Sequence, residues 1–599
     1  MITPMRKYTF VLYHEDYEAF LNKLQKLGVV HVIRNKVVKT ETLSQSLESI
    51  GRYTETSKYI NKMLAKDAVA NTSPLLPLMM LNQFDRARES KESLIRQRET
   101  LKRQITDLKP WGYFDPAVVE GLKQNGIYTS FYTISKNHFK QEWIERYALQ
   151  VIAEAQALIY FVKLGTTDQK EIMDADVFTF PAQGLLQLEK ALSKVEEELQ
   201  AIENFFLENG KTALEMFTKE IHQLTHAYEY EDALHQSDAE AEEHINVLGG
   251  WIPVDAEASL KDFLNQENII HFSANPTAED NTPVQLKNGW FARLFEPIAK
   301  LFMLPGYNDL DLTPYFAPFF MLFFGFCNAD IGYGLVLVIF ALLMRRKSKD
   351  ATIKGFMSLI ALFGISTMIM GWVMGSLFAY DMKTWSRVGN TILIRNTEQI
   401  FNFALILGVI QILFGILVNA AKQMRQSGFR YGISTIGTFL FLLGAVVMGS
   451  KVMGANPGTL AVYAKYMVYA GLGMVFLFNS PGKNVLINIA SGIWIMYNVV
   501  TGFFGDLLSY IRLFALGVSS AILGLVVNAM AAQFSSIPIL GPVLFLVFMI
   551  FGHSLNLALG ALSGFVHPLR LTFVEFYKNA GFTGPGPEYK PFGRTNTVK

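Results

Sequence analysis

GDLLSYIRLFALGVSSAILGLVVN, residues 505–528, places a single arginine, Arg512, at the head of a run of about twenty residues with no further charge. An arginine at the centre of a membrane helix costs about 2.5–3.5 kcal/mol on insertion scales, so such a residue faces protein or water and marks an ion path. Its guanidinium stays protonated, because its pKa exceeds about 12. The stretch 486–533 around it is apolar and far longer than the roughly 20 residues needed to span a bilayer. A second long stretch, 537–580, follows.

Working outward from that arginine, the only charged residues in 486–580 are Asp506, Arg512, Arg570, Glu575 and Lys578, the last two near the end of the final helix. Asn498, Thr501, Gly505, Ser509, Arg512 and Ser519 recur at spacings of 3, 4, 4, 3 and 7, and His553, Asn556, Ser563, His567 and Arg570 at 3, 7, 4 and 3. Both sets fit one face of a helix, so each helix is expected to show a wet stripe. Two antiparallel helices with facing stripes would hold a water-filled half-channel. Asp506 is six residues from Arg512, about 240° round a helix, so an ion pair between them would need a kink. For Asp506, His553 and His567 two readings stand: hydrogen-bonded packing groups, or ion-handling ones.

Six shorter apolar runs precede these two, at 313–329, 331–345, 353–380, 398–421, 431–450 and 460–478, giving about eight spans. Helices of some 45 residues reach about 68 Å, twice a hydrocarbon core of about 30 Å, so the last two are expected to be long and tilted, with cheap bending at Gly502, Gly505 and Pro568. With the N-terminus cytoplasmic, inside loops hold nine Lys/Arg (Arg345, Arg346, Lys347, Lys349, Lys354, Lys422, Arg425, Arg430, Lys483) against five outside (Lys383, Arg387, Arg395, Lys451, Lys465). That favours cytoplasmic termini. A break at Gly505 would give nine spans and an outside C-terminus, which the basic tail (Lys578, Lys590, Arg594, Lys599) opposes.

Residues 1–310 read differently. Tyr8, Phe10 and Leu12 alternate as a strand, EDYEAFLNKLQKLG as an amphipathic helix, and VVHVI as a strand. Residues 42–107 read as one arm of a long helical hairpin and 184–246 as the other, with strands FYTIS, LQVIAEA and ALIYFVKLG between. The expected fold is multidomain. N-terminal cytosolic α/β globules are joined by a long antiparallel coiled coil (1–310), followed by an all-α membrane domain (311–580) and a cytoplasmic tail (581–599). VLGGWIPVDAEASLKDFL (247–264) would close the first globule with a strand and a helix.

A formal net charge of +1 on 599 residues argues against a nucleic-acid partner, and MITPMRKYTF has no apolar stretch, so no secretory signal is expected. The single Cys327 leaves no internal disulfide and fits a reducing cytosol. NSPGKN (479–484) lacks the glycine spacing and the Ser/Thr of a phosphate loop, and no zinc or nucleophile motif occurs, so neither an ATP site nor a cofactor is expected in this chain.

These residues resemble a family. GDLLSYIRLFALG (505–517) is similar to the arginine segment of the penultimate helix of the V/A-type ATPase membrane stator subunit, called subunit a in eukaryotes and subunit I in bacteria and archaea. VHPLRLTFVEFYKNAGFTGPGPEYKPF (566–592) resembles its last helix and tail, LFEPIAKLFMLPGYNDLDLTPYFAPFFMLFFGFCNADIGYG (294–334) its approach to the membrane, and GGWIP (249–253) the end of its cytosolic domain. The resemblance implies that the last two helices embrace a proteolipid c/K ring whose carboxylates carry H⁺ or Na⁺ past Arg512, with Arg570 as its partner. It also implies E/G-type peripheral stalks on the cytosolic arm and a d/C-type central-stalk subunit nearby. His567 matches a frequent family position. Ser520 stands where the eukaryotic pattern has a histidine, and Gly560 where it has an acid. The continuation after Arg512 sides with the prokaryotic branch, so a prokaryotic plasma membrane is expected. A secondary transporter with a cytosolic regulatory domain is the alternative, and would carry inverted repeats, which are not evident here. A membrane scaffold without transport would leave Arg512 and Arg570 dispensable.

Overall fold

The computed structural model describes residues 1–593, apart from 35–39, 65–75, 114–115, 148, 156, 167–174, 180–182, 241–243, 278, 383–390, 453–457, 481–483 and 535–539. Arg594 and Lys599 of the tail, Lys383, Arg387 and Lys483 of the loops, and the centre of NSPGKN therefore lie outside the described residues. Two compact units emerge, one formed by Met1–Lys36 with Gln236–Lys599, the other by Val37–His235.

The first unit opens with β1 (Met5–Tyr13), α1 (Tyr17–Leu27) and β2 (His31–Val32). Gly28 ends α1 in the left-handed region (φ 64°), where its amide caps Leu24 O.

The second unit contains α2 (Glu41–Met63), α3 (Pro77–Leu108), α4 (Pro116–Gln124), β3 (Tyr128–Ser135), α5 (Glu142–Arg146), β4 (Leu149–Ala155), β5 (Leu158–Gly165), β6 (Asp176–Phe178) and α6 (Leu185–Leu234). The first arm, expected as one helical stretch, is two helices, and Pro77 starts the second at a position where a missing N–H costs nothing. Both pack on the unbroken α6. Tyr53, Ile60, Met80, Leu81 and Phe84 bury against Phe206, Ala213 and Phe217. A second core joins Leu101, Leu108 and Trp111 to Leu188 and Val195 of α6 and to Tyr160 of β5, in an antiparallel sheet ordered β4-β5-β3-β6.

The first unit resumes with β7 (Asp238–Glu240), β8 (Ile245–Pro253), α7 (Glu257–Gln266) and β9 (Ile270–Ala274). The sheet order β2-β8-β1-β9, with β1 antiparallel to both β8 and β9, interleaves two βαβ halves in the ferredoxin-like manner. Alternation in β1 turns Tyr8, Phe10 and Leu12 into a core shared with Phe20, Leu24, Leu248 and Leu260. The described end of the tail lies on this domain: Phe592 N–H donates to Val30 O (2.7 Å) and Val284 N–H to Pro587 O (2.8 Å).

After α8 (Trp290–Phe302) come α9 (Thr313–Asn328), α10 (Ile331–Lys347), α11 (Ala351–Met374), a hairpin of β10 (Ser376–Leu377) and β11 (Tyr380–Asp381), α12 (Thr397–Ser427), α13 (Phe429–Val452), α14 (Leu460–Phe478), α15 (Val485–Phe534) and α16 (Gly541–Arg570). A π-helix, Leu571–Phe576, then leads into α17 (Tyr577–Asn579). Five segments among the described residues are long and apolar enough to cross a membrane: Ala351–Met374, Thr397–Ser427, Phe429–Ser450, Val485–Phe534 and Gly541–Asn579. The third predicted span stops at Met374 rather than 380, because Gly375 adopts φ 75° and turns the chain into the hairpin. α15 runs unbroken for 50 residues through Gly502 and Gly505. The irregularity falls instead just after Pro568, which lacks an amide for the ladder. α9 is the hub, with Phe316, Phe320, Phe323 and Phe326 fully buried against α8, α11, α12, α15 and the π-helix.

Candidate functional site

α15 has two faces. Asp506, Tyr510, Leu513, Gly517, Gly524 and Val527 are buried, at helical spacing, while Phe504, Leu508, Ala515 and Ser519 are exposed. Arg512 falls on the margin of the exposed face, half-buried. Its Nη1 is buried with no hydrogen-bond partner, and among the described residues Arg512 enters no ion pair. Asp506, the nearest carboxylate in sequence, points to the opposite face. It accepts from Lys578 Nζ (2.9 Å) and Asn579 Nδ2 (2.8 Å). That excludes the kinked Asp506–Arg512 pair and gives Asp506 a packing partner.

Arg570 is exposed near the end of α16, and His567, half-buried one turn earlier, lies within electrostatic reach of both Arg512 and Arg570. The fields of both arginines thus meet at this histidine, across the α15–α16 pair. Ser509 is half-buried and its hydroxyl donates to Gly505 O (3.3 Å). Asn498 is exposed. Glu575 sits in the π-helix, buried, with Oε2 lacking a partner. Tyr510, buried on α15, donates its hydroxyl to Gln411 Oε1 (2.7 Å).

The α16 set does not form a single wet stripe. His553 and Asn556 turn inward, because Gly552, Gly560 and Gly564 form the packing face: Val527 lies where a Cβ of Gly552 would fall, and Asn328 where those of the other two would. His553 Nδ1 pairs with Tyr333 Oη (2.7 Å) and Nε2 with Asn528 Oδ1 (2.9 Å). Asn556 Nδ2 donates to Tyr333 Oη (2.8 Å) and Ser520 O (3.1 Å). The packing reading of His553 thus has both ring nitrogens in its favour. Sequence reasoning missed Gln411, Tyr333 and Asn528; Gln411, a lone amide in the apolar run ALILGVIQILFGILV, was the discoverable one.

Two cavities, each with a few polar groups set in a largely apolar wall, meet α15 on either side of Arg512. One, about 310 Å³, is lined by Asn498, Gly502, Asp506, Thr438, Lys578 and Asn579. The other, about 150 Å³, is lined by Asn328, Asp330, Tyr333, Ser376, Gly517 and Ser520. Counted along the helix, their nearest residues stand about 9 Å and about 8 Å from Arg512 in opposite directions. A larger cavity, about 1040 Å³, lies where the tail meets the residue 306–311 loop, with Asp309, Lys422 and Arg425 in its wall, and includes neither Arg512 nor Arg570.

Fold and site together describe an α/β domain followed by several helices long and apolar enough to cross a membrane, with a guanidinium that has no ion pair among the described residues set between two cavities. The chain is 24% identical to V-type ATP synthase subunit I 1 of Treponema pallidum, over 99% of this chain and 100% of that one. It is 24% identical to V-type ATP synthase subunit I of Borreliella burgdorferi over 85% of each, and 27% identical to A-type ATP synthase subunit I of Methanocaldococcus jannaschii over 72% of this chain and 68% of that one. No protein-family model matches. A crystal structure of the cytoplasmic N-terminal domain of subunit I, homolog of subunit a, of V-ATPase aligns with 45% of this chain at 14% identity and a TM-score of 0.24, too low to support a fold comparison. By sequence, the chain is related to subunit I of the V/A-type ATP synthases along nearly its whole length.

Proposed function

We propose that this chain is the membrane stator of a V/A-type rotary ATPase, spanning the membrane eight times with both termini cytoplasmic. In this reading α15 and α16 face a ring of proteolipid subunits. The helical arm of residues 37–235 works as a coiled coil that holds E/G-type peripheral stalks, and a d/C-type subunit turns nearby. The observation that carries the reading is Arg512: half-buried, unpaired among the described residues, and flanked along one helix by two separate cavities that each hold a few polar side chains.

The physics follows from that placement. A rotor carboxylate crosses lipid only when neutralised by its ion, since a bare charge there is strongly disfavoured. Beside a permanent cation the ionised form is favoured, with the carboxylate pKa lowered by about 1–3 units. The ion leaves into one cavity, the carboxylate passes Arg512, and a new ion is taken up from the other. Because the cavities are offset along α15, a straight leak would have to pass the guanidinium. Arg570 extends the positive field across the helix pair, His567 lies within electrostatic reach of both arginines, Asn498 and Ser520 offer polar contacts in the cavity walls, and Glu575 is buried in the π-helix. Nucleotide chemistry belongs to other subunits in this scheme.

The test is ATP-driven ion uptake by the reconstituted complex. Arg512→Ala is expected to abolish coupled uptake, and Arg512→Lys to leave little of it, because the planar fork is lost. Wild-type uptake in Arg512→Ala would refute the proposal.

A further inference from the structure

Asp330 is a buried carboxylate on which the ion pathway makes no direct call. It caps α10 by accepting from Tyr333 N–H (3.1 Å). The same two oxygens accept from Ser376 Oγ (2.6 Å), Phe378 N–H (2.8 Å) and Ala379 N–H (2.8 Å). Four donors and, among the described residues, no cation satisfy it. Successive amides converging on one anion form a nest, and they bind the charged form.

Those two amides belong to the turn of the β10–β11 hairpin, where Leu377 pairs with Tyr380. Phe378 and Ala379 both have positive φ, 46° and 59°. Two-residue hairpin turns with that geometry normally select Asn and Gly, and an aromatic side chain there is strained. Such strain persists only where the surroundings enforce it. Here the enforcing group is Asp330.

The turn in turn fixes the deeper network. Phe378 O accepts from Asn528 Nδ2 (2.9 Å), and Asn528 leads through His553 and Tyr333 to Asn556, which donates to Ser520 O. Ala379 also fills the space over Gly524 of α15. The chain of bonds thus ties α10, α15 and α16 together around the smaller cavity, whose wall includes Asp330, Ser376 and Ala379.

We propose that Asp330 is a positioning residue for ion transport: its carboxylate holds the Phe378–Ala379 turn in its strained form and so sets the wall of the cavity beside Ser520. This rests on the stator reading of Arg512. Asp330 itself carries no ion; it acts through the turn.

The experiment uses the intact complex in liposomes and compares Asp330→Asn with Asp330→Asn/Ala379→Gly. An asparagine turns an amide donor toward two of the four donors, so uptake should fall about tenfold. Glycine relieves the turn's need for enforcement, so the double variant should recover most of the loss. A purely structural carboxylate, or one that handles ions itself, would not be repaired by a glycine in the turn. If the Asp330→Asn complex does not assemble, Ser376→Ala removes one donor, and its smaller loss should be repaired by Ala379→Gly in the same way. Undiminished uptake in Asp330→Asn, or a loss that Ala379→Gly leaves unrepaired, would overturn the inference. An Arg512→Ala control run in parallel separates the two: full uptake there sinks the stator reading alone.

Discussion

Replacing Lys578 by methionine tests whether Asp506 is a packing group or an ion carrier. The Asp506 side chain is 10% exposed and Lys578 is 56% exposed, at 2.9 Å. Breaking a fully buried pair costs about 3–5 kcal/mol, and an exposed pair is worth about 0–1 kcal/mol. With one member buried and the other open to water, Lys578→Met should cost roughly 1–3 kcal/mol, the Asn579 amide holding one oxygen in place. Asp506→Asn should cost less, because the freed ammonium is already more than half in water. The double variant should then resemble Asp506→Asn alone, with a coupling of about 1–2 kcal/mol. Thermal unfolding of the purified complex in detergent reads the stabilities, and ATP-driven uptake in liposomes reads function. Additive losses would show that the two residues do not interact. Abolished uptake in Asp506→Asn at unchanged stability would make Asp506 an ion carrier and refute the packing role.

His553→Phe should leave uptake within a few-fold while costing about 1–3 kcal/mol of stability, since Tyr333 and Asn528 lose a buried partner; loss of uptake at full stability would contradict it. In the α/β part of the first unit, Lys7 (2.6 Å) and Thr277 hold the Asp280 carboxyl down to about 2 from its ordinary 3.8. A depressed carboxylate contributes stability fully above its unfolded value, and loses it as the pH falls through the folded one. Unfolding followed from pH 5 to about pH 2 should therefore show a downward step in stability below pH 4 that Asp280→Asn removes. An unchanged profile in that variant would show that the pair contributes nothing.

The membrane half was legible because a bilayer imposes length and apolarity, and both are properties of a run of residues. Arg512 stood out for the same reason: a charge in such a run has few explanations. Helical spacing showed that His553 and Asn556 share a face but not which way the face turns. The glycines at 552, 560 and 564 decide that, by letting α16 close on its neighbours. The partner of Asp506 was illegible, since Lys578 comes 72 residues later and meets it only once the π-helix has turned the chain. The tail was equally opaque. GPGPEYKPF has no periodicity, yet Phe592 is buried and its amide pairs with Val30.

The arrangement also explains how an unpaired guanidinium is tolerated. An ion pair would stabilise Arg512 but, on the stator reading proposed above, would neutralise the charge offered to passing carboxylates. α15 meets the insertion cost of about 2.5–3.5 kcal/mol through its other face, where Tyr510 and Leu513 are wholly buried against the phenylalanines of α9 and the chain of α12. Asp506 is kept from the arginine by its own pair with Lys578, and Glu575 is buried in the π-helix. Asp506 is thus held away from Arg512, the cation that the proposed mechanism needs unpaired.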